Sequence, residues 1–293
     1  MQTVRARPGR KHDADSLMKR QWRKLRRNKL SMIGFTLMAL IMAGAVFAPL
    51  LTAYRPDGVN LAERLEPPGG RHLLGTDKVG RDVFCRLLYG SRISILIGVT
   101  GALGGAAIGI VLGSLGGYIR GRLDKVLLRI SEIFMTFPQI ILILILIVFM
   151  GQGLWNLIFI FSVTGWMGTY RIVRARFFTL REESFVEALR AFGIGNASIM
   201  FRHILPNTLG PIIVGITLSM PGYILSESGL SFLGLGVQPS IPTWGNIINA
   251  AKQIDVIADA WWLWVPPGVM ISLYVLSVNF FGDGLRDVLD PTQ

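Results

Sequence analysis

Few residues in this sequence have the types and spacing that catalysis or metal binding requires. The three histidines, His12, His72 and His203, stand far apart and lack the spacing of a zinc site. No serine or cysteine has a plausible base partner, and no glycine-rich loop with Lys and Ser/Thr is present to hold a nucleotide phosphate. We therefore predict no catalytic residue, no metal and no cofactor in this chain, and we expect that it is not an enzyme.

Glu227 is the one acidic residue placed well inside an apolar segment. Ser219, Ser226 and Ser228 accompany it, and Pro221-Gly222 can break the helix there. A carboxylate in such a segment is costly and usually faces a cavity or a partner. This polar face is a candidate lining of a translocation path. The alternatives are a structural hydrogen bond for Glu227 or a position nearer the membrane interface.

Composition places these residues in a membrane protein. The 293-residue chain is 51% hydrophobic, with a mean hydropathy of +0.50. Its formal net charge is +12, and many of the basic residues precede the first apolar segment. The positive-inside rule explains them by a cytoplasmic N-terminus, so we expect no nucleic-acid partner. Cys85 is the single cysteine, which excludes an internal disulfide and favours an ordinary buried residue over a reactive thiol.

Apolar segments long enough to cross a bilayer recur along the chain and predict an all-α polytopic membrane protein with six transmembrane helices. The predicted spans are 31–51, 93–119, 126–150, 154–170, 208–235 and 264–281. Six crossings place both termini in the cytoplasm, in agreement with the charge bias. Pro138 is a candidate kink in the third span.

This pattern also divides the chain. The predicted parts are a basic cytoplasmic N-terminus at 1–30, transmembrane helix 1 at 31–51, an external segment at 52–91, a core with helices 2–6 at 92–286, and a cytoplasmic tail at 287–293. Residues 17–30 are a candidate amphipathic helix on the membrane surface. In the external segment we expect a short interfacial helix, capped by Asp77, with Val79, Val83 and Leu87 on one face.

Glycines recur every fourth residue in the second span and form a stripe of small residues. They are Gly101, Gly105, Gly109, Gly113 and Gly117. Such spacing lets two helices approach closely in lipid, so we predict a packing seam within the subunit or against a partner. Flexible gating is the alternative role.

A charged loop at 171–207 interrupts the apolar second half of the chain. Ser184 and Glu187 fit a capping box, and Phe185, Leu189 and Phe192 would share one face of the helix that follows. Gly193 and Gly195 then end this helix, Asn196 caps a second one, and Pro206 stops it. A helical elbow with an apolar face beside a membrane needs a partner, and we expect a second protein.

These residues resemble a known motif. Glu187-Ala188-Leu189, Gly193 and Ile204-Leu205-Pro206 are similar to the EAA loop of ABC importer permeases, with Leu189 in place of the second alanine. The resemblance implies the type I ABC importer permease fold and a coupling helix that docks on an ATPase. Glu187, Ala188, Leu189, Gly193 and Pro206 would shape this helix, and Arg190 and Arg202 would face acids on the ATPase. Glu187 as a helix cap alone is the alternative.

A second motif narrows the resemblance. The run 75–82 with Arg86-Leu87 and Tyr89-Gly90, together with 231–236, resembles the dipeptide and oligopeptide branch of these permeases. That branch implies a second homologous permease, two ATPase subunits carrying ATP and magnesium, and an external solute-binding protein. The setting would be the cytoplasmic membrane of a bacterium or archaeon.

The expected function is therefore import of di- and oligopeptides, driven by ATP hydrolysis on separate subunits. The same architecture importing nickel, a metal chelate or glutathione is an alternative. Two other classes remain open, an ion-coupled secondary transporter with Glu227 as the coupling group, and a membrane scaffold without transport activity.

Overall fold

The computed structural model describes residues 23–289, without the side chains of residues 251, 254 and 255. The predictions for residues 1–22, and the part of the tail at 290–293, lie outside this range. The described chain is helical and contains no strand beyond an isolated bridge between Thr76 and Asp82. This confirms the all-α prediction.

Eleven principal helices are labelled here in chain order. They are α1 Lys29–Val46, α2 Val83–Ile119, α3 Gly121–Thr136, α4 Gln139–Met150, α5 Leu154–Thr164, α6 Trp166–Leu180, α7 Ser184–Ala191, α8 Leu209–Leu233, α9 Trp244–Ile248, α10 Ile254–Asp259 and α11 Val265–Leu289. The shorter helical turns are Ala48–Leu51, Leu61–Glu63, Asn196–Ser198, Ile199–Ile204, Leu205–Thr208, Asn249–Lys252 and Trp261–Leu263.

All six predicted spans fall on helices. Within the described range, four helices are long and apolar enough to cross a membrane: Lys29–Val46, Val83–Ile119, Asn196–Leu233 and Trp261–Leu289. The pair α3 and α4 makes a fifth if it counts as one span, bent by 91°. The predicted fourth span consists of α5 and the start of α6, with a break at Gly165.

The bend between α3 and α4 lies at Pro138, where the sequence predicts a kink. Phe137 has extended backbone angles (φ −91°, ψ 139°) and ends α3. A proline disfavours helical geometry at the residue before it, which accounts for a sharp break at this point.

The predicted interfacial helix capped by Asp77 is wrong. Asp77 instead accepts hydrogen bonds from the backbone amides of Val79 (2.9 Å) and Arg81 (3.0 Å) within a turn. Asp82 is the cap, since its side chain accepts from the amide of Cys85 at 2.6 Å, and α2 begins at Val83. The second span is therefore one helix that starts well before residue 93, and the division at 91 and 92 falls inside it.

Pro221-Gly222 does not break α8, which continues from Leu209 to Leu233. A proline removes one backbone hydrogen bond, and neighbouring helices and local adjustment can compensate for that loss in a membrane helix. Pro221 is buried against the rest of the chain.

The helix α2 is the centre of the bundle, and its glycines pack within the subunit. A Cβ added at Gly109 would lie 2.7 Å from the carbonyl oxygen of Trp166, and one at Gly117 would lie 2.6 Å from that of Arg174. Side chains of any size would separate α2 from α6, so the backbones approach this closely only because these positions are glycine.

The two ends of the bundle are formed by different segments of the chain. At one end, here the loop end, the segment 52–82 packs against the segment 234–264: the indole of Trp262 donates to the carbonyl of Thr76 at 3.1 Å. At the other, the elbow end, residues 181–208 pack against the end of α2. This division positions the candidate sites described next.

Candidate functional site

The helix α7 forms the first arm of the elbow and ends in a Schellman motif. Gly193 has a left-handed φ of +74° and donates its amide to Arg190, while the amide of Ile194 donates to the carbonyl of Leu189. A residue with a Cβ is strained at this φ, which explains the glycine. The side chains of Leu189 and Ile194 also pack in one apolar cluster.

The two capping predictions for the elbow are wrong. Glu183, not Ser184, is the N-cap of α7, and no side chain caps this helix. Gly195 precedes the second helical arm, and the Asn196 side chain instead accepts a hydrogen bond from the Tyr118 hydroxyl at 2.9 Å. For Asn196, the tertiary contact with α2 outweighs the local capping preference.

Pro206 does not stop the second arm. It lies in the turn Leu205–Thr208, which leads directly into α8. A proline is tolerated near the start of a helix because the first amides have no intrahelical acceptor. The elbow is therefore joined to α8 without a linker.

One part of the apolar face of the elbow is buried against the rest of the chain, and the other part is exposed. Val186, Ile199 and Ile204 are fully buried in a cluster with residues of α2, α6 and α8. Leu189 is half-buried in the same cluster, whereas Phe192 is 83% exposed and Phe185 is 38% exposed. The two phenylalanines of the predicted face are thus the part that remains uncovered.

Tyr118, at the end of α2, connects the elbow to the helix bundle through several contacts. Its side chain is buried, its carbonyl accepts a hydrogen bond from Arg181, and its hydroxyl reaches Asn196. The guanidinium groups of Arg181 and Arg190 lie 5.5 and 5.4 Å from its ring centroid, within cation–π distance. Sequence reasoning missed Tyr118 because its partners lie more than 60 residues away along the chain.

The remaining predicted elbow residues are accessible. Glu187, Ala188 and Arg202 are exposed, and Arg190 is exposed beside the Tyr118 ring. The carboxylate of Glu187 has no hydrogen-bond or ion-pair partner among residues 23–289, so it does not act as a cap in this chain.

A partly buried ion pair also stabilises the elbow end. The guanidinium of Arg174 on α6 binds the carboxylate of Asp124 on α3 through two hydrogen bonds of 2.5 and 2.7 Å. These bonds raise the pKa of Arg174. A bidentate pair of this kind holds two helices in one orientation.

Glu227 makes a structural hydrogen-bond network. Its side chain is fully buried, and Oε1 accepts from the hydroxyls of Ser231 and Thr243, each at 2.7 Å. The Thr243 hydroxyl also accepts from the amide of Asn246 and so caps α9. Glu227 therefore joins α8 to the start of α9, which corresponds to the first alternative left open by the sequence.

The four predicted path residues do not share one face of α8. Glu227 and Ser228 turn into the chain, whereas Ser219 and Ser226, seven residues apart, are half-buried. Gly222 and Gly229 are exposed on the same side as these two serines, and nothing lies within 4 Å of a Cβ placed on either glycine. The open polar face of α8 is thus built from small residues.

At the loop end, the Arg86 side chain links two separate segments of backbone by hydrogen bonds. Only 3% of this residue is exposed, and its guanidinium donates to the carbonyls of Pro56 (3.0 Å) and Pro239 (3.3 Å). His72 contacts the helix cap Asp82 at 2.8 Å. The motif at 75–90 is the sequence signal for this site, but its partners could not be inferred from it.

Comparison with known proteins identifies the family. The family model described as the inner membrane component of binding-protein-dependent transport systems matches residues 109–293, and the N-terminal transmembrane domain of oligopeptide transport permease C matches residues 16–68. The chain belongs to this permease family. It is 40% identical to a dipeptide transport permease of Bacillus subtilis, over 92% of this chain and 84% of that protein.

Other relatives of the permease are also peptide transport permeases. An oligopeptide transport permease of Bacillus subtilis is 37% identical over 94% of this chain and 90% of that protein. A peptide permease of Brucella suis, itself named as putative, is 38% identical over 94% of this chain and 91% of that protein. These proteins are membrane transport components, and the expectation that the chain is not an enzyme is confirmed.

The fold of the permease has a solved counterpart. A chain of the MetNI methionine ABC transporter, in an inward-facing conformation, superposes with a TM-score of 0.57 at 21% identity, covering 70% of this permease and 96% of that chain. This likeness confirms the type I ABC importer permease fold.

Proposed function

We propose that the permease forms, with a second homologous permease, the membrane pathway for di- and oligopeptides. ATP and magnesium would be bound and used by two separate ATPase subunits, and an external solute-binding protein would deliver the peptide. The named dipeptide and oligopeptide permeases among the relatives support the peptide class. The lipid bilayer surrounds the assembly.

The observation that carries the coupling role is an elbow that is exposed on one side and fastened on the other. Phe192 and Phe185 present apolar surface beside the accessible Glu187 and Arg202, as a protein interface requires. On its other side, the elbow is joined to α2 and α8 by the Tyr118–Asn196 bond and by the apolar cluster around Val186. Movement of an ATPase bound at the elbow would therefore reach both helices.

The proposed orientation places the elbow end in the cytoplasm of a bacterium or archaeon. The basic residues Arg120, Arg122 and Lys125 lie where α2 meets α3, near the elbow, and the positive-inside rule favours the cytoplasm for them. Both termini would then be cytoplasmic, and the loop end would face outward towards the solute-binding protein.

Within this function, the open face of α8 is the proposed lining of the pathway. Ser219 and Ser226 supply hydroxyls, and Gly222 leaves room for a solute. Glu227 supports this face from behind, because its bond to Thr243 holds α8 to the loop end, and Ser228 is buried beside it. An ion-coupled transporter would need an ionisable group open to the pathway, whereas Glu227 is fully buried and its Oε1 accepts from two hydroxyls.

The variant Gly193→Pro tests the elbow. Proline fixes φ near −65°, whereas Gly193 has φ +74° and donates its amide to Arg190. We expect normal membrane insertion, loss of peptide uptake in proteoliposomes, and loss of ATPase copurification. Gly195→Ala, at φ −65° with nothing within 4 Å of the added Cβ, is the control and should transport normally.

Normal uptake by Gly193→Pro would remove the elbow from the mechanism. Full uptake by the unaltered permease without an ATPase would refute the proposed function as a whole.

A further inference from the structure

The loop end contains a cavity of about 440 Å³, and the proposed function assigns no ligand to it. Its walls come from the turn before α2, from the end of α8 and the segment after it, and from α9 with the turn that follows. A volume of this size is typical of sites for small ligands. It is too narrow to receive a folded protein.

The lining residues that the structure describes give the cavity a net positive charge. Among the described lining residues, Lys78, Arg81, Arg86 and Lys252 are cationic, and Asp77 is the acid. The Asp77 carboxylate binds Arg81 at 2.6 Å and lies 3.9 Å from Arg86. One acid opposes four bases, so the field in the cavity favours an anion.

The cations contribute in two ways. Arg86 is buried and donates hydrogen bonds to neutral carbonyl groups, with the Asp77 carboxylate 3.9 Å away, so it adds a fixed charge that solvent screens poorly. Lys252 is exposed, with its ammonium 5.5 Å from the Phe232 ring, and Lys78 donates to Gln253. Both lysines have further N–H donors to offer a ligand.

Apolar side chains also line the cavity. Val83, Val237, Ile247 and Leu263 line it together with Ala250. A ligand that matches both the cationic and the apolar lining residues has a carboxylate next to an apolar side chain. The C-terminal residue of a peptide has this chemistry.

We propose that this cavity binds the C-terminal carboxylate and final side chain of the peptide before it enters the pathway. This inference rests on the proposed function, since it takes peptides as the cargo and the loop end as the outer side. Ser231, near the end of α8, lines the cavity and binds Glu227, so the site lies at the loop end of the helix that carries the open face.

Binding is tested on the full-length permease, purified with its associated subunits in nanodiscs of neutral phosphatidylcholine and without the solute-binding protein. The probes are the dipeptide Ala-Leu and its C-terminal amide, titrated by calorimetry. We expect Ala-Leu to bind at least about tenfold more tightly than the amide, equivalent to ~1.4 kcal/mol. The preference should weaken with added salt.

The double variant Lys78→Gln/Lys252→Gln should lose the preference for the free carboxylate, while Arg71→Gln should keep it. Arg71 is an exposed base at the same end that does not line the cavity. Equal binding of acid and amide by the unaltered permease would overturn the proposal, whatever the variants do.

A second outcome would also overturn it. If the double variant binds Ala-Leu normally but binds the solute-binding protein more weakly, the lysines serve protein docking. Ala-Leu uptake into proteoliposomes, measured in parallel, tests the peptide function separately: uptake without specific carboxylate binding would refute the cavity alone.

Discussion

The close packing of α2 against α6 predicts how much the substitution Gly109→Ala destabilises the permease. In Gly109→Ala the added Cβ would lie 2.7 Å from the carbonyl oxygen of Trp166 and 2.8 Å from the amide nitrogen of Tyr170. Ordinary contacts begin at 3.4 Å, so the helices must separate by about 0.7 Å. Both neighbours are backbone atoms and cannot rotate away.

Overpacking of this kind costs ~1–3 kcal/mol, and the helix propensity of alanine offsets up to ~1 kcal/mol of it. Gly168→Ala, on α6, is the matched control, because nothing lies within 4 Å of its Cβ and the same propensity gain applies. The difference in unfolding free energy between the two variants therefore isolates the clash, and we expect ~1–3 kcal/mol.

The measurement is SDS-induced unfolding of the purified permease, followed by tryptophan fluorescence, for the unaltered chain and both variants. Gly168→Ala should be as stable as the unaltered chain or slightly more so. If Gly109→Ala proves as stable as Gly168→Ala, the close approach of α2 and α6 is wrong, and with it the placement of the glycine seam within the subunit.

Two further predictions concern hydroxyl groups. Thr243→Val keeps the side-chain shape but removes both the donor to the buried Glu227 carboxylate and the cap of α9, and it should destabilise the permease by at least ~1.5–3 kcal/mol in the same unfolding assay. Thr217→Val, which loses only a bond within α8, should be nearly neutral, and an equal effect of the two variants would contradict the network. Tyr118→Phe removes the hydrogen bond to Asn196 but keeps the ring, so we expect near-normal folding. Because the elbow is then held less firmly to α2, we expect more ATP to be hydrolysed for each peptide imported. Tyr89→Phe is its control, and an unchanged ratio in Tyr118→Phe would exclude the hydroxyl from coupling.

Much of the architecture followed from local sequence. The apolar segments had to become helices, because a bilayer leaves backbone groups no other partner. The bend at Pro138 and the left-handed turn at Gly193 also followed, since the backbone limits of proline and glycine do not depend on the rest of the fold.

Capping could not be predicted in the same way. Asp77 and Asp82 both precede the start of α2, and Asp82 became the cap because Asp77 is engaged in a turn with Arg81. Ser184 and Asn196 have the residue types of caps, yet α7 begins one residue earlier, at the N-cap Glu183, and Asn196 bonds to Tyr118 of α2 instead. Several hydrogen-bonding arrangements satisfy the same short sequence, and only packing selects one of them.

The sequence by itself determined a helical membrane permease with an elbow of recognisable composition, because hydropathy and backbone preference act over a few residues. Tertiary structure alone decided which groups the elbow and Glu227 contact, since Tyr118 and Asn196 are 78 residues apart and Glu227 and Thr243 are 16 apart. The same is true of the cavity at the loop end, whose cations come from segments far apart in the chain. Charges separated along the sequence acquire a common ligand only when folding brings them to one surface.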